Sequence, residues 1–166
     1  MCRADTLTTS AFGAPPTLVG AALEGRAPTA NDEVVIKVPR ASIHKTYADH
    51  FQFLQGCVTS ATPKLTIPSP SMVHYRGGRA AIDEDVYPDL DEFWSDLTDA
   101  YADQVRAIGE LGCTYLQFDD TSLAYLNDPE QREHVRSIGG DAEHQHELYI
   151  RHINEALEHR PEGMAI

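Results

Sequence analysis

Apolar positions along the chain alternate between a strand-like and a helix-like rhythm. Residues 33–38 (Glu-Val-Val-Ile-Lys-Val) form a β-branched run closed by Pro39, and residues 64–67 (Lys-Leu-Thr-Ile) form a second run ended by Pro68 and Pro70. Residues 113–118 (Cys-Thr-Tyr-Leu-Gln-Phe) make a third, with the β-branched and aromatic bias of a buried strand. Between them Tyr47, Phe51, Leu54 and Val58 predict a helix over 47–58. Leu90, Phe93, Trp94, Leu97, Tyr101, Val105, Ile108 and Leu111 mark the apolar stripe of a long helix over 89–111. Asp89 and Glu92 give that helix a capping-box start, and Gly112 gives it a stop. A last helix is expected from Asp141 through Leu157, ahead of Pro161 and Gly163, and Met164-Ala165-Ile166 then opens like another strand. Residues 127–140 are polar and predict no element. Residues 1–30, rich in Ala, Thr, Pro and Gly, follow neither period and are expected to form a poorly structured N-terminal arm ahead of one domain over 31–166.

Strands that alternate with helices imply parallel βαβ units, so the expected class is α/β, with parallel strands alternating with helices. A complete (β/α)₈ barrel takes at least ~200 residues. The 166 residues here are therefore expected to make a partial TIM (β/α)₈-type barrel, with a clipped last strand.

In such folds the chemistry lies at the carboxyl ends of the strands. The run over 113–118 ends there in two adjacent carboxylates, Asp119 and Asp120. Neighbours on a strand point to opposite faces, so only one of the two can face the barrel axis, and Asp119 is the stronger candidate. An alternative is that the pair caps the following turn at Thr121 and Ser122. Ser69 and Ser71, set between prolines after the second strand, offer hydroxyls to a ligand, and Arg76 and Arg79, flanking Gly77-Gly78, could hold a carboxylate or phosphate. No residue carries a nucleophile motif, so no catalytic residue is assigned.

A net charge of −13, from 26 acidic and 13 basic residues, excludes nucleic acid and anionic membranes as main partners. The acids concentrate between Asp83 and Asp103 without one Lys or Arg, as on a solvated helix face. Cys2, Cys57 and Cys113 are too few and too irregular for a disulfide framework or a zinc knuckle. Reduced thiols, no membrane-length apolar run and no signal-peptide core give a cytoplasmic expectation. His144, His146 and His152 lack the i,i+3 or i,i+4 spacing of a metal pair, and Ile150 stands where an HExxH motif needs its second His; no metal ligand is assigned.

Four ordered segments go further: residues 64–72 (Lys-Leu-Thr-Ile-Pro-Ser-Pro-Ser-Met), 74–79 (His-Tyr-Arg-Gly-Gly-Arg), 86–93 (Val-Tyr-Pro-Asp-Leu-Asp-Glu-Phe) and 115–125 (Tyr-Leu-Gln-Phe-Asp-Asp-Thr-Ser-Leu-Ala-Tyr). From about Val35 to Ile166 the chain resembles the cobalamin-independent methionine synthase family, nearest its short single-barrel members. The resemblance implies a methyltransferase of methionine biosynthesis, in which zinc activates a homocysteine-like thiol that takes a methyl group from methyltetrahydrofolate. It makes Asp119 the anchor of the substrate ammonium. Asp120 stands where the methionine synthases proper have Glu, and Thr121 replaces their Pro. The family's zinc ligands belong to later strands, so zinc is expected of the full-length family with no ligand present here, and the chain is expected to be a fragment, inactive alone. Two alternatives remain: a thioether lyase or alkyltransferase acting on coenzyme M, and a non-catalytic fragment that assembles with a partner chain or oligomerises through open sheet edges.

Overall fold

The computed structural model describes residues 43–166, with side chains from Tyr47 onward. The expected arm over 1–30 and the strand over 33–38 lie outside the described residues. Helix α1 spans Ile43–Cys57, strand β1 Leu65–Pro68, helix α2 Ser71–Tyr75, a 3-10 turn Gly78–Ala81, helix α3 Leu90–Glu110, strand β2 Leu116–Asp119, and helices α4, α5 and α6 span Ser122–Tyr125, Pro129–Ser137 and Gln145–Leu157.

β1 and β2 pair in parallel with Leu65 opposite Leu116 and Pro68 opposite Asp119, so both strands end at the same edge. The Ser69 amide extends the ladder by donating to the Asp119 carbonyl at 3.1 Å. Beyond β2 the chain returns at Ala165, which makes one parallel bridge to Tyr115, with the Leu116 amide donating to the Ala165 carbonyl at 2.9 Å. The expected opening strand over 164–166 is present as that single bridge. Parallel strands joined through helices make this an α/β arrangement.

Alternation along the strands sets the layers. Leu65, Ile67 and Leu116 are buried while Thr66 is exposed. These side chains join one apolar core with α3, which packs against both α1 and α6. The predicted stripe of α3 is the centre of the core: Phe93, Trp94, Leu97, Val105 and Ile108 are almost wholly buried. Asp91, Glu92 and Asp99 are exposed along the same helix, the solvated acidic face that the charge run implied. Asp89 caps the helix by accepting from the Asp91 amide at 2.9 Å. Gly112, at φ 91°, closes it, letting the Cys113 amide reach the Ile108 carbonyl at 3.3 Å.

Three sequence expectations are corrected. Residues 127–140 contain α5: Asp128 accepts from the Glu130 amide at 2.7 Å, Pro129 occupies the first turn, and Gly139 at φ 81° ends the helix. Only Val135 of α5 is buried, so no apolar stripe announced it. Helix α6 starts at Gln145 because Asp141 is used in a separate turn, accepting from the Glu143 amide at 3.0 Å. The stretch 74–79, which follows the second predicted strand and for which no element was expected, carries structure: His74 and Tyr75 are buried at the end of α2, followed by the 3-10 turn.

His74 shows how polar groups enter this core. Gln145 Nε2 donates to the Tyr149 hydroxyl at 2.7 Å, so that hydroxyl is directed to donate onward to His74 Nδ1, 2.9 Å away. Such an imidazole must stay neutral, and burial pushes its pKa down to about 4. A folded-state pKa below the unfolded value of 6.5 means that this contribution is complete above pH 6.5 and is lost as pH falls toward 4. We expect His74 to account for up to about 3 kcal/mol of acid-side stability loss across that window. Urea unfolding of the wild type and His74→Phe at several pH values checks it: the wild type weakens steeply, the variant far less.

Candidate functional site at the strand ends

The shared edge of β1 and β2 gathers four of the sequence candidates. Ser69 and Ser71 follow β1, Asp119 ends β2 and Asp120 follows it. Pro70 adopts helical backbone angles (φ −56°), so the chain turns directly from strand into α2 and aims both serine hydroxyls at the neighbouring strand end.

Both hydroxyls meet Asp120. Ser69 Oγ donates to Asp120 Oδ2 at 2.6 Å, and Ser71 Oγ contacts the same oxygen. The two serine oxygens lie 2.7 Å apart, so three contacts share two hydroxyl protons. The other carboxylate oxygen accepts from Ser122 Oγ at 2.6 Å, the Ser122 amide at 2.8 Å and the Leu123 amide at 3.3 Å. Ser69, Ser71 and Ser122 are buried almost completely. Burial alone would raise the Asp120 pKa, but the Ser122, Ser69 and Ser71 hydroxyls and the Leu123 amide overcome it and hold the carboxyl below its ordinary value. Asp120 thus bolts the loop after β1 to the turn after β2.

Asp119 is the opposite case. It is exposed, and its side chain has no hydrogen bond or ion pair among the described residues. Its backbone is fixed by the ladder to β1 and its neighbour is clamped, so a free carboxylate is presented from a rigid edge. Thr121, hydrogen-bonded through Oγ1 to Met72 Sδ at 3.4 Å, adds a further tie between the same two loops.

The two arginines separate. Arg79 donates to the Tyr87 carbonyl at 2.8 Å and pairs with Glu84 at 3.5 Å, so it ties down the loop before α3. Arg76 is exposed without a carboxylate partner among the described residues and lines a cavity of about 370 Å³ with Tyr75, Tyr125, Gln131 and His134. Sequence reasoning had not singled out those four residues. The signal, a Tyr seven residues after the end of β1 and six after the end of β2, acquires meaning only once the strands are adjacent.

The histidines fall into structural roles. His152 stacks on Trp94, centroids 4.8 Å apart and planes 6° from parallel, and contacts Glu155 at 2.8 Å. Exposed His144 pairs with Asp141 at 3.0 Å. Among the described residues no three His, Cys, Asp or Glu side chains come together to hold a metal ion, and no helix is long and apolar enough to cross a membrane.

No family model matches the chain. The uncharacterized protein YxjH of Bacillus subtilis is 40% identical over 116 residues, 70% of this chain and 30% of that protein. The uncharacterized protein YxjG of the same organism is 32% identical over 126 residues, 75% of this chain and 32% of its own length. The chain thus spans about a third of the length of the curated relatives it matches. Among solved structures, a candidate vitamin-B12 independent methionine synthase from Listeria monocytogenes matches with a TM-score of 0.61 and 34% identity, covering 81% of this chain and 38% of that one. The fold is therefore shared with a methionine-synthase-like protein.

Proposed function

We propose that this chain forms the amine-recognising part of a thiol S-methyltransferase site of the cobalamin-independent methionine synthase type, within a (β/α)₈-type barrel. The observation that carries the reading is the division of labour at the end of β2: Asp120 is consumed by five hydrogen-bond donors, while Asp119 is exposed and unpaired. Likeness to the Listeria protein supports it.

In this reading Asp119 accepts from the ammonium of homocysteine, and the clamp at Asp120, Ser69 and Ser71 fixes where that carboxylate stands, so the thiol of a bound amino acid is held at a set distance from the strand edge. Methyltetrahydrofolate is the methyl donor that the resemblance implies. Zinc would activate the thiol in such an enzyme, but the described residues contain no ligand set that fits it, so no step is assigned to zinc here.

The test compares homocysteine with the same thiol acid lacking its amino group, by calorimetric titration of the purified chain. We expect Asp119→Ala to weaken homocysteine at least tenfold, from loss of one charge-assisted contact worth about 1.5–3 kcal/mol, and to leave the deaminated thiol unchanged. Equal weakening of both ligands, or of neither, contradicts the assignment.

A further inference from the structure

The seam that holds α6 to the rest of the molecule is polar where the remaining core is apolar. Four residues of α6 are buried, Gln145, Tyr149, His152 and Ala156, and the first three carry hydrogen-bonding groups. They meet Trp94 and Thr98 of α3: His152 stacks on the indole with its Nδ1 3.1 Å from Thr98 Oγ1, and the Tyr149 ring lies 5.8 Å from Trp94. The core shared by α1, α3, β1 and β2 is instead made of side chains such as Phe51, Leu65, Ile67, Val105, Ile108 and Leu116. Helix α6 thus docks through groups whose protonation matters, and the sheet does not.

The tie between α6 and α2 has a fixed polarity. Because Gln145 already donates to the Tyr149 oxygen, the phenolic proton is aimed at the lone pair of His74 Nδ1. An imidazolium has no lone pair there, so protonation removes the acceptor and leaves a positive charge in a buried site. Facing that charge are Trp94 from α3 and Gln145 and Tyr149 from α6, none of them anionic at neutral or acid pH. The next charged residue along the chain is the cation Arg76. His152, on the same indole, differs: Glu155 at 2.8 Å answers its charge, with Asp91 of α3 adding to it and Arg151 at 3.3 Å opposing. His74 is the uncompensated group of the seam.

The strand edge behaves otherwise in acid. The Ser122, Ser69 and Ser71 hydroxyls and the Leu123 amide favour the charged form of Asp120, so the clamp keeps its charge while His74 takes up a proton.

We propose that α6 is an acid-released element of the fold: protonation of His74 breaks its contact with Tyr149 and lets α6 leave Trp94, while β1, β2 and the Asp120 clamp stay closed. The parallel bridge between Tyr115 and Ala165 holds the chain beyond α6 on the sheet, so the helix opens as a tethered element. The inference is independent of thiol methylation, since it invokes neither Asp119 nor a ligand.

The test is hydrogen exchange of the full 166-residue chain, read by nuclear magnetic resonance at pH 7 and about pH 4.5, each rate divided by that of an unstructured peptide at the same pH. We expect protection over residues 149–157 to fall at least tenfold in acid, with a red shift of Trp94 emission. Protection at the Ser69 amide, bonded to the Asp119 carbonyl, and at the Ser122 amide, bonded to Asp120, should change less than about twofold. His74→Phe should abolish the fall in α6, and His152→Gln should leave it in place. The wild-type comparison of α6 with the strand edge stands without either variant. No fall in α6, an equal fall at Ser69 and Ser122, a fall that survives in His74→Phe, or one that vanishes in His152→Gln, overturns the proposal.

Discussion

Replacing Asp120 with Ala is expected to lower stability by about 2–4 kcal/mol, on the order of 10 °C in the unfolding midpoint, whereas Asp119→Ala at the adjacent position should cost less than about 0.5 kcal/mol. The asymmetry follows from what each carboxylate does. Asp120 is the shared acceptor for three buried serine hydroxyls and two amides, and removing it leaves those donors in a site too enclosed to rehydrate freely. Asp119 is exposed and bonded only through its backbone. Asp120→Asn retains one acceptor oxygen for the Ser122 and Leu123 amides and should lose about half as much. The pH dependence has a definite sign. A carboxyl held below its ordinary value contributes stability that is present above the unfolded carboxylate pKa and lost as pH falls through the folded one. The gap between wild type and Asp120→Ala should therefore be full at neutral pH and shrink in acid. Chemical denaturation of the three variants across pH measures it; equal costs at positions 119 and 120 would contradict the clamp.

The larger loss is expected in the core. Trp94 is 2% exposed and stands where α2, α3 and α6 meet, within ring contact of His74 (5.2 Å), Phe93 (5.4 Å), Tyr149 (5.8 Å) and His152 (4.8 Å). Truncation to Ala removes every one of those contacts and opens a cavity between helices that cannot close without moving α6 off α3, a loss of about 3–5 kcal/mol. Trp94→Phe is expected to cost only about 1–2 kcal/mol, because the indole Nε1 is buried without a hydrogen-bond partner among the described residues and its removal relieves a polar group held in the core. Trp94 is the sole tryptophan, so far-ultraviolet circular dichroism rather than fluorescence must follow unfolding in all three proteins. Equal losses for the Ala and Phe variants would show that the indole nitrogen is satisfied after all.

What could be read from the sequence follows the length and amphipathy of each element. Helix α3 was legible end to end because 21 residues repeat one apolar stripe between an Asp cap and a Gly stop. Strand β2 was legible as a strand but shifted: pairing with β1 begins only at Leu116, the Cys113 amide is used in leaving α3, and the Thr114 carbonyl accepts from the Ala165 amide. Helices α2 and α5 were not legible as helices. The first is five residues long, too short for a period to register, and the second buries one side chain, so its evidence lay in the Asp-Pro start and Gly end instead. Both carboxylates lie at the strand end where the sequence put them, yet the split between them was hidden, because two of the three hydroxyls that engage Asp120 come from residues 49 and 51 positions earlier in the chain. Sequence adjacency makes Asp119 and Asp120 look alike; tertiary hydrogen bonding makes one a bolt and leaves the other free. For a similar reason the carbonyl partners of Arg79 in the loop before α3 become visible only in three dimensions.

Carbon-13 nuclear magnetic resonance of the aspartate carboxyl groups, with homocysteine added to the full chain, tests the central claim most directly. The account predicts that the Asp119 carboxyl signal moves in a saturable manner, while the Asp120 signal, held by its five donors, stays in place. Movement at Asp120 with Asp119 unchanged, or no saturable movement at either, would contradict it.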